Sequence, residues 1–361
     1  MTVLLAQRTI QLNFPARQRL AMIRFLKLFG RLGLWTALFA LTAWGCAALW
    51  FDGPASRPLA SLLALIFALA MLALPVLIHP VRRGVLASLI LFAFLLGWWL
   101  SIPPSNARNW LPNVANPPSA LIQGDSVTVR NLRNFDYRSE TDFTPHWETR
   151  TYDLAKLRGL DLYVIYWGSP SIAHTILSWQ FDDGQHLAAS IETRTETGES
   201  YSAVRGFFRQ FELYYVLADE RDVIGLRTNH RREDVYLYRL RTPPARARAL
   251  LLDYLKTVNR LSNAPEWYNA FSHNCTTTIR LHAGNAMGAI PLDWRWLANG
   301  YLDTLLYEDG VINRSLPFAE IKSLSYINPR AQAVPLDSDF SSAIRKGIPP
   351  RPAPPPLPQV T

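Results

Sequence analysis

The sequence predicts a bundle of three transmembrane helices followed by an α+β soluble domain. Three observations carry this. The first hundred residues hold three long uncharged apolar runs. Pro and Asn crowd the junction that follows. Beyond it, short aromatic and β-branched runs give way to apolar residues at helical spacing.

The apolar runs cover 32–51, 59–79 and 84–102. Each is about 20 residues, the length that crosses a bilayer core of roughly 30 Å. Before the first run stand Arg8, Arg17, Arg19, Arg24, Lys27 and Arg31 with no acid, and Arg82 and Arg83 lie between the second and third. The positive-inside rule therefore puts residues 1–30, a basic segment, in the cytoplasm, and everything after 102 outside it. Trp98 and Trp99 suit the outer interface.

Charge excludes one class of function. Of 37 Lys+Arg and 28 Asp+Glu, residues 1–102 take nine bases and one acid, leaving 28 against 27 for the rest. The net charge of +9 thus belongs to membrane topology and is no argument for nucleic acid. No zinc-ligand spacing, Walker loop or dinucleotide fingerprint is present, so neither metal nor cofactor is expected.

Residues 103–120 hold five prolines and read as a linker. Residues 121–335 have the length of one large domain. Residues 336–361, with seven prolines after Arg345, read as an extended, disordered tail. Within the domain, strands are expected at 160–167, 173–181, 186–193, 211–217 and 234–240. Asp182-Asp-Gly184 makes the turn between the second and third. Helices are expected at 245–259, where Leu250, Leu251, Tyr254, Leu255 and Val258 share a face, and from 276 onward with Asn274 as N-cap.

Two cysteines occur. Cys46 lies inside the first apolar run and reads as a membrane-buried passenger. Cys275, in Phe271-Ser-His-Asn-Cys275, is alone in the soluble domain and has no intrachain disulfide partner there. It is either a small buried hydrophobe or a thiol kept for chemistry. The positive end of a helix favours the nucleophilic thiolate form of a cysteine. A catalytic thiol needs a base, and His is the usual one. Of seven histidines, His174 stands out because it sits in a strand-like run; a satisfied core His is the plain alternative. A three-residue hairpin loop gives paired numbers that sum to 366, which sets His174 opposite Glu192 and offers a carboxylate to orient the imidazole. A one-residue slip would turn Glu192 away, and pairing with a nearby Arg is its plain alternative. Arg194, Arg205, Arg209, Arg221 and Arg227, interleaved with acids, read as an ion-pair network in preference to a head-group clamp.

Cys275 at a helix start, after a strand His, resembles the order of a circularly permuted papain-like group. That group includes the lecithin:retinol acyltransferase family, with which Asn274-Cys275 is shared. A closer resemblance spans the soluble domain. Trp110-Leu-Pro-Asn113, Asn134-Phe-Asp-Tyr-Arg138, Ala173-His-Thr-Ile-Leu-Ser178, Ser190-Ile-Glu-Thr-Arg194, Asp219-Glu-Arg-Asp222, Asp234-Val-Tyr-Leu-Tyr238 and Asn274-Cys-Thr-Thr277 are similar to the Lnb N-terminal periplasmic domain family, named for a bacterial lipoprotein N-acyltransferase. The resemblance implies a permuted papain-like fold in the periplasm of a bacterial inner-membrane protein. It also implies transfer of an acyl chain from phospholipid to a lipoprotein-type amine through a Cys275 thioester. His174 would be the base, Glu192 its orienting group, and backbone N–H groups at the helix start the oxyanion donors. The bilayer and lipoproteins are the implied partners. A thiol hydrolase acting on a peptide, amide or lipid ester, and a non-catalytic envelope binding protein, are the alternatives.

Phosphatase and fluorescent-protein fusions after Pro104 are expected to report the periplasm; cytoplasmic fluorescence there would reverse the compartment argument.

Overall fold

The structure is a computed structural model that describes residues 16–337 and 339–353. The basic residues before 16 and the last eight residues of the Pro-rich tail lie outside the described part. The chain divides into two compact units at 102/103.

The first unit is three helices, α1 (Ala16–Phe51), α2 (Arg57–Leu77) and α3 (Val81–Ser101). All three are long and apolar enough to cross a membrane. Helix α1 starts well before the apolar run, inside the basic stretch expected to precede it. Leu38, Phe67 and Met71 form the small interior, while Phe39, Leu69 and Phe94 point outward, as lipid-facing side chains do. Gly45 leaves the space that Phe67 and Leu95 occupy. The few polar side chains are satisfied within the bundle. Thr42 donates to the Leu38 carbonyl at 2.7 Å and Ser88 to that of Met71 at 2.9 Å.

The second unit is a mixed α/β domain built on one sheet. Its strands are β1 (Ser119–Gln123), β2 (Ser126–Arg133), β5 (Trp147–Asp153), β6 (Leu157–Tyr166), β7 (Ala173–Phe181), β8 (His186–Arg194), β9 (Glu212–Ala218) and β10 (Asp234–Arg239). A separate small hairpin is β3 (Asp136–Tyr137) with β4 (Phe143–Thr144). The order is β1-β2-β9-β8-β7-β6-β10, with β5 also on β2. Every pairing is antiparallel except the single β2–β9 contact, Arg133 with Ala218. The β7–β8 hairpin has the expected register. Its pairs run from Ile176 with Ser190 to Gln180 with His186, and Gly184 supplies the positive φ of 83° that the three-residue loop needs.

Helices cover both faces of the sheet. On the first lie α5 (Pro244–Asn263) and α6 (Cys275–Met287). Residues Ala173, Leu177, Trp179, Leu187, Ala189, Ile191 and Tyr215 face them. Trp179 anchors this layer: its indole donates to the Ala247 carbonyl at 2.8 Å and stacks edge-on against Tyr254. On the second lie α4 (Glu220–Gly225), a π-helical turn at Leu226–Arg231, α9 (Asn328–Gln332) and α10 (Phe340–Ile344). Ile165, Ile176, Ala188, Val216 and Leu237 face these. The alternation is the period of two that a pleated strand imposes. Short helices α7 (Leu302–Glu308) and α8 (Phe318–Ser325) complete the chain order. The permuted papain-like arrangement implied by resemblance has no separate support in this topology.

Two expected boundaries move. The Pro-rich stretch after 102 is docked on the domain, not free. Ser105 N donates to Glu212 at 2.9 Å, Asn106 to the carbonyls of Leu261 and Ser262, and Leu111 N to the Thr195 carbonyl at 3.0 Å. Arg194 stacks on Trp110 and donates to the Val114 and Ala115 carbonyls. The tail is ordered through 353 because it brings charge into the core. Arg345 reaches buried Asp161 at 2.8 Å and Glu220 at 2.7 Å, and Arg351 adds a second cation on Asp161 at 2.8 Å. Burial alone would raise the Glu220 carboxyl; Arg345 outweighs it and holds it below the usual carboxylate range.

Arg345→Met leaves two buried carboxylates facing one cation. Breaking a buried pair in this way costs about 3–5 kcal/mol. The denaturant midpoint of the full chain in detergent is expected to fall, with the deficit narrowing as the pH drops and the carboxylates protonate. An unmoved midpoint would show that the tail docks without carrying the core.

Candidate active site

Helix α6 begins at Cys275 because the residues around it satisfy the helix end. Asn274 is the N-cap: its Oδ1 accepts from Thr276 N at 3.0 Å and Thr277 N at 2.9 Å. Thr277 Oγ1 accepts from Asn274 N at 3.1 Å, closing a capping box. Asn274 Nδ2 also holds the Ala270 carbonyl at 2.8 Å. Cys275 is thus the first residue of a locked helix start, and its side chain is buried, 8 % exposed. Thr276 and Thr277 N–H groups are committed to the cap, so the oxyanion donors expected there reduce to the Cys275 N–H itself.

The thiol sits among polar groups that sequence reasoning missed. Asn299 Nδ2 lies 3.9 Å from Sγ and Thr276 Oγ1 lies 3.6 Å from it. Asn299 also accepts from Ala173 N at 2.8 Å and donates to the Ala173 carbonyl and to Thr276 Oγ1, both at 2.6 Å. One amide therefore ties the start of β7 to the start of α6. Gly300 makes this approach possible, since a Cβ there would run into the Pro170 carbonyl. Thr175 Oγ1 meets Thr276 Oγ1 at 3.1 Å, a second link between strand and helix. Tyr201, Tyr254 and Tyr268 complete the surroundings, all within electrostatic reach of the thiol.

His174 is not among them. It pairs with Ile165 on β6, and Ile165 and Ile176 both belong to the second face. Cys275 packs in the first. Adjacent strand residues point oppositely, so Thr175 reaches the Cys275 helix and His174 points away from it. The structure does not bring the expected base to the expected nucleophile. Among the described residues no imidazole hydrogen-bonds Cys275. His282, two turns along α6, is held by Asp253 at 2.7 Å and Tyr215 at 2.6 Å.

His174 and Glu192 do come together, with Ser190 between them. His174 Nε2 lies 2.7 Å from Ser190 Oγ, which donates to Glu192 Oε1 at 2.7 Å; the direct His174–Glu192 distance is 3.8 Å. Arg227 also holds Glu192 at 3.1 Å and Glu233 at 2.9 Å. Since the Ser190 proton goes to the carboxylate, Ser190 must accept from His174 Nε2–H, which leaves Nδ1 unprotonated. Burial, then Arg227, holds the imidazole down at about 3 against the pull of Glu192. Burial would raise the Glu192 carboxyl, but Arg227, His174 and Arg133 bring it down to about 2. Of the remaining arginines, Arg205 pairs with Glu199 at 2.6 Å and Arg221 with Asp136 at 2.7 Å, while Arg194 donates to the Val114 and Ala115 carbonyls and to Asn106. Ser190 and Glu192 share a face by their spacing alone, so their meeting was legible; Arg227 arrives on a π-helical turn that no pattern announced.

His174 titrates near 6.5 when unfolded and near 3 when folded, so the unfolded chain takes up its proton first. Its contribution to stability is full above pH 6.5 and is lost as pH falls toward 3. Urea midpoints at pH 7.5 and 4.5 are expected to differ more for the natural chain than for His174→Gln. Equal differences would show that the imidazole does not stay neutral in the fold.

Residues 143–300 match the family model of the Lnb N-terminal periplasmic domain. The matched span runs from the β3–β4 hairpin to Gly300 and contains Cys275, Asn299, His174, Ser190, Glu192 and Arg227. No curated protein and no solved structure matches the chain. The helices that can cross a membrane are thus followed by a stretch, 143–300, that matches the model of the Lnb N-terminal periplasmic domain, the family to which the motifs around Cys275 and His174 pointed.

Proposed function

We propose that this protein is a membrane-anchored, periplasm-facing acyltransferase of the bacterial inner membrane that uses Cys275 as its nucleophile. The observation that carries the reading is a lone thiol at the first position of a fully capped helix, inside a stretch that matches this family. In the first half-reaction Sγ attacks the ester carbonyl of a phospholipid, with the Cys275 N–H facing the developing oxyanion. The C–O bond breaks, the thiol proton passes to the departing alkoxide, and a lysophospholipid leaves. In the second, a neutral lipoprotein-type amine attacks the thioester. The amide forms and one amine proton returns to sulfur. Asn299 positions the thiol by fixing α6 to β7. His174, across the sheet, supports this site through the packing of β7 and does not take the thiol proton.

A specific observation favours a second reading. The thiol is buried and among the described residues no histidine hydrogen-bonds it, as in a non-catalytic envelope protein whose Cys275 is only a packing group. Intact-mass measurement of the full chain with phospholipid vesicles separates the two. An acyl adduct on Cys275 that hydroxylamine removes, absent from Cys275→Ala, is the expected result. No adduct, with Cys275 inert to alkylating reagents, would overturn the enzyme reading.

The same assay tests the place of His174. Removing a direct general base costs about 10²–10⁴ in rate. His174→Gln is expected to lower transfer by less than about tenfold, because its effect passes through strand packing. A loss as complete as that of Cys275→Ala would show that imidazole and thiol meet during turnover.

A further inference from the structure

The surface around the Cys275 helix carries large apolar side chains that the domain leaves uncovered. Leu292 is 87 % exposed, Phe271 62 % and Trp294 60 %; Phe207, Leu297 and Tyr301 are exposed as well. They form two lips. In one, the Ala270 N–H bonds the Gly206 carbonyl at 2.8 Å, joining the residues that precede Phe271 and Phe207. In the other, Arg280 on α6 donates to the Ile290 carbonyl at 2.5 Å, folding the next residues back on the helix, and Trp294 packs on Tyr301 with ring centres 5.4 Å apart. Cys275 follows Phe271 by four residues and lies 3.9 Å from Asn299, which stands two residues before Tyr301. Large apolar side chains left this exposed on stretches that lead into and away from the Cys275 helix mark a surface with a partner.

The chain itself indicates the partner. Helix α3 ends at Ser101, and four residues later Ser105 bonds Glu212. Glu212 bridges Trp267, and the segment from Trp267 runs through Phe271 to Cys275. The tether therefore enters the domain at the base of one lip. Tryptophan and tyrosine at the margin of an apolar patch suit the head-group region of a bilayer.

We infer that this rim is a bilayer-docking surface, through which the two lips enter the lipid interface and a phospholipid acyl chain reaches the Cys275 helix. The inference deepens the acyl-transfer reading by giving the donor its route, but docking itself does not require thiol chemistry. The test uses the full-length Cys275→Ala chain, which forms no thioester, in phosphatidylcholine–phosphatidylglycerol vesicles carrying a phospholipid with a diazirine on its acyl chain. After photolysis, carbene adducts are mapped by peptide mass spectrometry. Adducts are expected on peptides containing Phe271 and residues 292–301, besides the three helices. Phe271→Ser with Leu292→Ser and Trp294→Ser is expected to lower the remaining 297–301 adducts at least fivefold with those in the helices unchanged. Leu292→Ser alone, at the most exposed position, gives a smaller drop if the triple variant fails to fold. Adducts confined to the three helices would overturn the inference, and so would copy-to-copy cross-links through the rim in place of lipid adducts. Because lipid contact is read without turnover, a failure here leaves the intact-mass result on Cys275 to stand or fall separately.

Discussion

Strand β7 carries His174 and Thr175 side by side, and the pleat sends them to opposite faces of the sheet. Everything chemical in the domain follows from that alternation. Thr175 meets Thr276 at the start of α6, and Asn299 locks Ala173 to the same helix start. His174 enters the other layer, where Ser190, Glu192 and Arg227 fix its tautomer. The sheet thereby separates a thiol environment of tyrosines and amide from a charged relay. Neither can be altered without moving β7, which both layers grip.

The parts of the fold legible in the sequence were those set by local periodicity. The strands near 160–193 and 211–240 and the helix over 245–259 are found within a few residues of their expected ends, because alternation and helical spacing act over a single element. The β7–β8 register was legible too, since a three-residue loop leaves one pairing that keeps both faces apolar. Other elements went unread. Strands β1, β2 and β5 have partly exposed, polar outer positions such as Thr128 and Thr151, which blur the alternation. The π-helical turn that delivers Arg227 has no compositional mark. The ordered tail was hidden by its prolines.

The candidate site shows the same division. Cys275 and its cap were plain from Asn274 and the threonines, because capping is a local exchange of hydrogen bonds. Glu192 was correctly placed near His174, with Ser190 bridging. The expected pairing of His174 with Cys275 depended instead on which face of the sheet α6 packs against, and that is decided by connections a hundred residues long. Asn299 was invisible for a like reason: an asparagine in a short turn carries no signal until the turn is seen to land on Ala173.

Strand β6, beside the edge strand β10, places Asp161 in the interior, and the guanidinium that neutralises it arrives 184 residues later, from Arg345. During synthesis, or export from the N-terminal end, the sheet could assemble from 119 to 240 while that carboxylate and Glu220 still lacked their counter-ion. Burying them then would be strongly unfavourable, so the layer between β6 and α4 is held open until nearly the whole domain is available. The electrostatic closure acts as a completeness check. A chain cut short before 345 has all eight strands of the main sheet, yet lacks the charge that lets its core close.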